Sequence, residues 1–404
     1  MTATRTIAHM DLDTFFVSVE RLQNSALIGK PVLVGGASDR GVVASCSYEA
    51  RSYGIHSAMP MKMARQLCPE AIIVRGDHER YSYYSNVVSE IIEEAVPLYE
   101  KMSIDEFYMD LSGMDRFFGS YKWATELRQR IIRESGLPLS FAMSINKTVA
   151  KIGTGQAKPN GQLQIEYGKE KDFLAPLSVR KIPMVGEKTY QILKSMGIEK
   201  IETIQQMPSE LMQQVLGENG LAIWRKANAL DDTPVLPYCE QQSLSTETTF
   251  ERDTMDLTHL HRVLIHQIEQ LTFQLRSSDR LTGCITIKLR YSDFNTHTMQ
   301  LRIPYTALDH VLITKAKELF AKLYTQRLQI RLIGVRFSHL IQGAYQFDLF
   351  DDTKEKVLLY AAMDKLRKRF GKDTIQRAGG VDFKDVAEVR DSRKTKLLNK
   401  GKKK

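Results

Sequence analysis

Along the first 170 residues, short apolar runs with the two-residue alternation of strands trade places with longer runs whose apolar positions recur every three or four residues. The strand-like runs are TRTIAHMDL, PVLVGG, GVVASCS, AIIVRG, IDEFYMDLS and LSFAMSI, and the helix-like ones are DHERYSYYSNVVSEIIEEAV and SYKWATELRQRIIRESG. Setting residues 14 to 75 aside as an insertion leaves strand, helix, paired strands, helix, strand. That is the order of a split βαβ sheet with helices on one face. Residues 171 to 242 read as helical, and the Gly and Pro punctuation in VRKIPMVGEKTYQILKSMGI suits a helix-hairpin-helix. The polar stretch PYCEQQSLSTETTF then leads to LTHLHRVLIHQIEQLTFQLRSS, TGCITIKLRYSD, HTMQLRIP, LITKAKELFAKLYTQ and IRLIGVRFSHL, which predict a separate α+β domain. At 404 residues the chain is too long for one core, so the pattern predicts a multidomain α+β protein.

Three carboxylates interrupt this pattern where they are costly. Asp11 in IAHMDLDTFFVSVE, and Asp105 and Glu106 in KMSIDEFYMDLS, lie in apolar, strand-prone runs where a charge needs a partner or a cation. Alternation puts Ile7, His9, Asp11 and Asp13 on one strand face and Ala8, Met10 and Leu12 on the other, which leaves Asp13 a rival to Asp11. Asp105 and Glu106 reach a common point only if they lie at a strand start or hairpin bend, so a bend is expected there. Mg²⁺ bound by such acids and by substrate phosphates points to phosphoryl or nucleotidyl transfer.

Composition narrows the setting. Apolar content of 43% and charged content of 26% are those of a soluble globular protein, and no apolar run has membrane-span length, so a cytosolic protein is expected. Cys46, Cys68, Cys239 and Cys284 are scattered without a CxxC pair and read as plain core thiols. The net charge of +9 lies late in the chain: residues 243 to 345 hold 13 basic and 9 acidic residues, and residues 346 to 404 hold 17 and 10. That excess suits a polyanion, although the last residues, DSRKTKLLNKGKKK, read as a solvated tail. Lys288, Arg290, Arg331 and Arg336 alternate with apolar residues and are candidates for phosphate contacts from one sheet face. The backbone amides of Val185, Gly186 and Glu187, at the start of a helix, are candidates for another.

The motifs HMDLDTFFVSVE, VVASCSYEARSYGIHSAMPMKMA, SIDEFYMDLS, SFAMSINKTVAKIGTGQAKPNG and IPMVGEKT resemble, in order and spacing, those of the Y-family translesion DNA polymerases. The resemblance covers residues 5 to 345. It implies a right-hand architecture: a split βαβ, ferredoxin-like palm (1–13 and 76–170), small fingers (14–75), a helical thumb (171–242), an α+β little finger (243–345), and a clamp-binding motif with a basic tail (346–404). The implied activity is template-directed, low-fidelity addition of deoxynucleotides to a primer across damaged bases, with two Mg²⁺ ions. Asp11, Asp105 and Glu106 match the metal-binding carboxylates, and the Leu12 carbonyl matches a further ligand, which favours Asp11 over Asp13.

By the same resemblance Tyr48, Arg51 and Lys158 match contacts to the nucleotide triphosphate, and Phe16 matches a steric gate against ribose, with Phe15 left to the core. Gly35, Gly36, Ala37, Gly41, Ala44, Ser45 and Ser47 suit a lid that holds the nascent pair weakly. Gly153 and Gly155 stand where the family more often has Ala and Ser, and each glycine costs a helix about 1 kcal/mol. YQFDLF resembles a sliding-clamp binding motif through Gln346, Leu349 and Phe350. The expected partners are primer-template DNA, deoxynucleotides and the clamp, with no membrane, for a monomer. Two rivals fit less well. A nucleotidyl cyclase does not account for the hairpin-like thumb and basic C-terminal region, and a non-catalytic DNA-binding scaffold does not account for the acids in apolar surroundings.

Overall fold

Alternation along the first strand decides how the N-terminal part is layered. The computed structural model describes residues 5–114, 119–237, 240–343, 353–371 and 374–380. The chain divides into two compact units, Met1–Cys239 and Glu240–Lys404. The first unit opens with β1 (Ile7–Leu12), α1 (Phe15–Gln23), β2 (Val32–Gly35), β3 (Val43–Cys46), α2 (Tyr48–Arg51), α3 (Met61–Leu67) and β4 (Ile72–Val74). It continues with α4 (His78–Ala95), β5 (Tyr99–Lys101), β6 (Glu106–Asp110), α5 (Ser120–Ser135), β7 (Leu139–Ser144), α6 (Lys147–Ala157) and β8 (Gln162–Gln164).

The main sheet has the order β5-β6-β1-β7-β8, and β1 runs antiparallel to both β6 and β7. Ala8, Met10 and Leu12 face a core shared with Tyr81, Val88 and Ile92 of α4 and Ala124, Leu127 and Ile131 of α5. Each large apolar side chain buried there contributes about 2 kcal/mol. The opposite face is covered as well. Ile7 and Tyr108 pack on Ala150 of α6, and Ala142 packs on Val149 and Ile152. The two helices of the split βαβ pattern, α4 and α5, thus share one face as expected, and α6, which lies beyond that pattern, covers the other, where Ile7, His9 and Tyr108 are too apolar to leave in water. The insertion is also not wholly separate. Its three strands, ordered β3-β2-β4, enclose their own core of Leu33, Val43, Met61 and Cys68, but α1 places Phe15, Val17 and Val19 in the main core.

A helical region follows: α7 (Glu170–Leu174), α8 (Glu187–Ser195), α9 (Ile201–Gln206), α10 (Ser209–Leu216) and α11 (Glu218–Ala227). Its core residues Leu174, Ile182, Leu193, Ile204 and Ile223 continue onto α6 through Val149 and Ile152. The segment after α11 is fastened to the palm-like sheet. Asn146 Nδ2 donates to the Ala229 carbonyl at 2.8 Å, Thr148 Oγ1 donates to Asp231 at 2.7 Å, and Val235 is buried against Ile7 and Tyr108.

The second unit contains β9 (Ser243–Thr254), α12 (Leu257–Ser277), β10 (Arg280–Tyr291), β11 (Thr296–Thr306), α13 (Asp309–Leu323), β12 (Ile330–Gln342) and α14 (Thr353–Phe370). Its sheet, ordered β11-β10-β12-β9, rests Ile285, Ile287, Leu289, Ile333, Val335 and Phe337 on α12 and α13. Part of the polar stretch PYCEQQSLSTETTF is the edge strand β9. An edge strand with one open face tolerates polar residues, which is why it read as a spacer. The helix α14, outside the family resemblance, is tied back by Arg276, whose guanidinium meets Asp309 at 2.6 Å and Asp364 at 2.6 Å.

Cys46, Cys68 and Cys284 are buried free thiols, while Cys239 lies outside the described residues. Among the described residues, no helix is long and apolar enough to cross a membrane.

The two unexpected glycines of α6 have different surroundings. A Cβ on Gly153 would stand 2.8 Å from the Cβ of Ala142 and 2.7 Å from Ile165, whereas one on Gly155 would meet nothing within 4 Å. Gly155→Ala is expected to raise the stability of the first unit by about 0.5–1 kcal/mol. Gly153→Ala is expected to lower it by about 1–3 kcal/mol through overpacking. Urea melts of both full-length variants, read by circular dichroism, check the opposite signs.

Candidate active site

Strand register brings the three acids together. Asp11, next to last in β1, pairs directly with Glu106, the first residue of β6. Asp105 occupies the turn just before, where its carbonyl accepts from the Leu12 amide at 3.0 Å. The expected bend is a tight one. The Met102 amide donates to the Glu106 carbonyl at 3.0 Å, and Ser103 Oγ accepts from the Glu106 amide at 3.1 Å while donating to Asp105 Oδ1 at 2.5 Å.

Positive charge arrives from α6. Lys147, Lys151 and Thr154 recur at helical spacing within α6, and Lys158 follows just past its end in extended backbone, so that all four face the sheet. Lys147 Nζ meets Glu100 at 2.7 Å, Lys151 Nζ meets Glu106 at 2.7 Å, and Lys158 Nζ meets Asp11 at 2.5 Å. Thr154 Oγ1 donates to the His9 carbonyl and lies 3.0 Å from His9 Nδ1. His9 is buried, and that burial, followed by the nearby charges of Lys151, Lys158 and Lys147, holds its pKa well below the ordinary value, so it stays neutral. Burial, reinforced by Asp105 and Glu106, pushes the Asp11 carboxyl up to about 6 even though Lys158 opposes the shift. One ammonium thus leaves part of the demand for positive charge unmet.

The donors available to a cation are all oxygens: three carboxylates and the Leu12 carbonyl. That chemistry suits a hard divalent metal. In the present arrangement each carboxylate is engaged by lysine or serine, and no three His, Cys, Asp or Glu among the described residues form a ready metal-holding group.

Asp13 has a different task. The left-handed backbone at Thr14, φ 43°, ends the strand, and Asp13 turns inward to 1% exposure. Its carboxylate accepts from Ser140 Oγ at 2.8 Å, the Asn160 amide at 2.6 Å and Tyr48 Oη at 3.2 Å. It therefore links β1, β7, α2 and the segment beyond α6. Its lone pairs are spent on protein donors.

Asp11, Leu12, Asp105, Phe16, Arg51 and Lys158 line one cleft of about 140 Å³. The Arg51 guanidinium lies 5.0 Å over the Tyr48 ring. Burial, then Asp13, raises the Tyr48 pKa, so its hydroxyl remains a donor. Phe15 is buried in the core, as expected of it, while Phe16 is only partly buried. The Phe16 ring stacks on Tyr81 at 4.3 Å and meets the edge of His78 at 5.8 Å. Beyond it lies a second hollow, of about 290 Å³, lined by Phe16, Tyr81, Gly35, Gly36, Val42 and Ala44.

The remaining sequence candidates fare unevenly. The amides of Val185 and Gly186 already donate to the Ile182 and Met184 carbonyls, at 3.1 and 3.2 Å. Glu187 opens α8, with its carboxylate paired to Arg180 at 3.1 Å. In the second unit Lys288, Arg290 and Arg336 share the open sheet face, opposite Gly334, Leu332 and Thr286 respectively. Lys288 is neutralised by Glu247 at 2.8 Å. Arg331 sits at a register shift between Ile330 and Leu332, and its guanidinium lies 4.5 Å over the Phe294 ring. Gln346, Leu349 and Phe350 lie outside the described residues.

Sequence reasoning missed Lys151, Ser140 and Tyr81. Only Lys151 left a usable signal, its spacing of four residues from Lys147 and seven from Lys158.

Known proteins are similar to this chain in sequence and fold. Residues 10–155 match the impB/mucB/samB family, and residues 241–349 match that family's C-terminal domain. The chain is 37% identical over 387 residues to DNA polymerase IV of Dehalococcoides mccartyi, covering 95% of this chain and 99% of the relative. To DNA polymerase IV of Desulfatibacillum aliphaticivorans it is 36% identical, covering 95% and 98%. Among solved structures, a chimeric Y-family DNA polymerase matches with a TM-score of 0.73 at 25% identity, covering 84% of this chain and all of the other. DinB from Sulfolobus solfataricus shares the fold with a TM-score of 0.59 at 24% identity, over the same shares. With both family segments matched and relatives similar along nearly its whole length, the chain belongs to the impB/mucB/samB family and is a Y-family DNA-directed DNA polymerase.

Proposed function

We propose that this polymerase adds deoxynucleotides to a primer 3′-hydroxyl by two-metal nucleotidyl transfer, with low fidelity, and so copies past damaged template bases. The single observation that carries the reading is the register of β1 against β6, which sets Asp11 opposite Glu106 with Asp105 one residue before it, at the mouth of a cleft lined by Arg51 and Lys158. Polymerases of this family generally use divalent metal ions. Asp11, Asp105, Glu106 and the Leu12 carbonyl would hold two Mg²⁺, which when bound supply charge neutralisation at the reacting phosphate and lower the pKa of the primer hydroxyl.

The chain's own groups do the positioning. Arg51 offers a guanidinium fork and Lys158 a point charge to the triphosphate, and Tyr48 offers a hydroxyl fixed by Asp13. Phe16, backed by Tyr81, stands where a 2′-hydroxyl would collide with the ring. The small residues around the second hollow leave the nascent base pair loosely enclosed, which favours tolerance over selection. Arg290 and Arg336 on the open sheet face, and the start of α8, contact the DNA backbone, with Lys288 contributing less while Glu247 holds it. Gln346, Leu349 and Phe350 supply a sliding-clamp anchor of the short-peptide kind.

Primer extension on undamaged and lesion-bearing templates tests the core of this reading. Asp105→Ala and Glu106→Ala are each expected to lower the rate by a factor of about 10³ or more with DNA binding retained; extension at the wild-type rate would refute the acid trio. Phe16→Ala is expected to raise ribonucleotide incorporation by about tenfold or more without loss of deoxynucleotide insertion. A variant that still rejects ribonucleotides as the parent does would end the gate assignment. Deleting residues 346–350 is expected to abolish stimulation by the clamp and leave basal synthesis intact, and equal loss of both would point to folding instead.

A further inference from the structure

Two of the three acids are matched to ammonium groups, one from α6 and one from the residue just past its end, but the two lysines are not equivalent. Lys158 lines the cleft beside Arg51, and the triphosphate reading accounts for it. Lys151 is not among the residues lining that cleft. Its Nζ lies 2.8 Å from Oε1 and 2.7 Å from Oε2 of Glu106, so it occupies both oxygens of a carboxylate that the proposed chemistry needs. Neither side chain is at the open surface, with 35% exposure for Lys151 and 22% for Glu106, so water screens the pair only in part.

We propose that Lys151 is a resident counter-ion of Glu106, holding the acid trio together in the metal-free protein and competing with divalent cations for it. The inference rests on the reading of Asp11, Asp105 and Glu106 as the cation site. With Lys151 and Lys158 in place the trio carries a formal net charge of −1 rather than −3, and a cation arriving at Glu106 must displace an ammonium that already holds both oxygens. Like charges at such separations repel strongly even at an intermediate dielectric. The lysine therefore weakens cation uptake while sparing the metal-free fold the mutual repulsion of three carboxylates. A tie between helix and sheet with no bearing on metals would instead stabilise the protein equally with and without a cation.

Lys151→Met keeps the aliphatic stem and removes the charge, and Mn²⁺ alone, without DNA or nucleotide, is the probe. Binding is read from the paramagnetic resonance of free Mn²⁺, and stability from thermal melting of the full chain in chelator and in saturating Mn²⁺. The variant is expected to bind Mn²⁺ about three- to tenfold more tightly. It is also expected to melt earlier than wild type in chelator and to regain most of that loss with the metal. Lys151→Arg, which keeps the charge, is expected to bind like wild type, and Lys151→Gln replaces the methionine variant should that one fail to fold. Unchanged or weaker Mn²⁺ affinity on neutralisation, or an equal loss of stability in both conditions, overturns the proposal. Glu106→Gln separates the failures. If wild-type Mn²⁺ binding does not depend on Glu106, the acid-trio reading falls together with this one. If it does and neutralising Lys151 changes nothing, only the counter-ion role falls.

Discussion

Three negative charges gathered at the end of a buried sheet must be balanced, and the first unit is arranged around that requirement. The strands β1 and β6 cannot present Asp11 and Glu106 side by side without a supply of positive charge close at hand. The supply is α6, laid across the second face of the sheet with Lys147 and Lys151 turned inward, together with Lys158 just past its end. Covering that face is thus both a hydrophobic necessity for Ile7 and Tyr108 and an electrostatic one for the acids two to four residues along.

Asp11 of β1 and Asp13 just beyond it divide the labour through a change of backbone direction. Asp11 remains in the strand and faces the cleft. Asp13, after the strand has ended, becomes a buried acceptor that gathers donors from β7, α2 and the segment following α6. The insertion is consequently tied to the sheet by a hydrogen bond from the same tyrosine that stands under Arg51. The acid trio and the side chains beside it share one scaffold, so the positions of Tyr48 and Lys158 follow from those of Asp13 and Asp11.

Much of this was legible in the order of residues because its cause is local. Period-two alternation reveals β1, β6 and β7. The adjacency of Asp105 and Glu106 demands a bend if both are to be useful, whereas the division of Phe15 and Phe16 between core and cleft came from the family resemblance. What escaped has its cause in tertiary packing. A run with lysines at helical spacing ordinarily marks a solvated face, so the spacing of Lys147 and Lys151 was legible as one helix face but not as an inward one. Arg331 sits at a register shift near the start of β12 that no residue pattern marks, and β9 was too polar to announce itself as a strand. Gly153, read as a weakness of its helix, is in fact where the helix comes closest to Ala142 and Ile165.

The inward stripe of α6 also restricts how this polypeptide can change. Its marks at 147, 151 and 154 answer to fixed addresses on the strands, and an α-helix turns about 100° per residue. Adding or removing one residue between the first mark and the last would swing everything downstream a quarter-turn or more, leaving a carboxylate facing a methyl group. Substitutions along the outer side are cheap by comparison. The helix works as a ruler: its blank edge can be rewritten, but its graduations cannot be respaced.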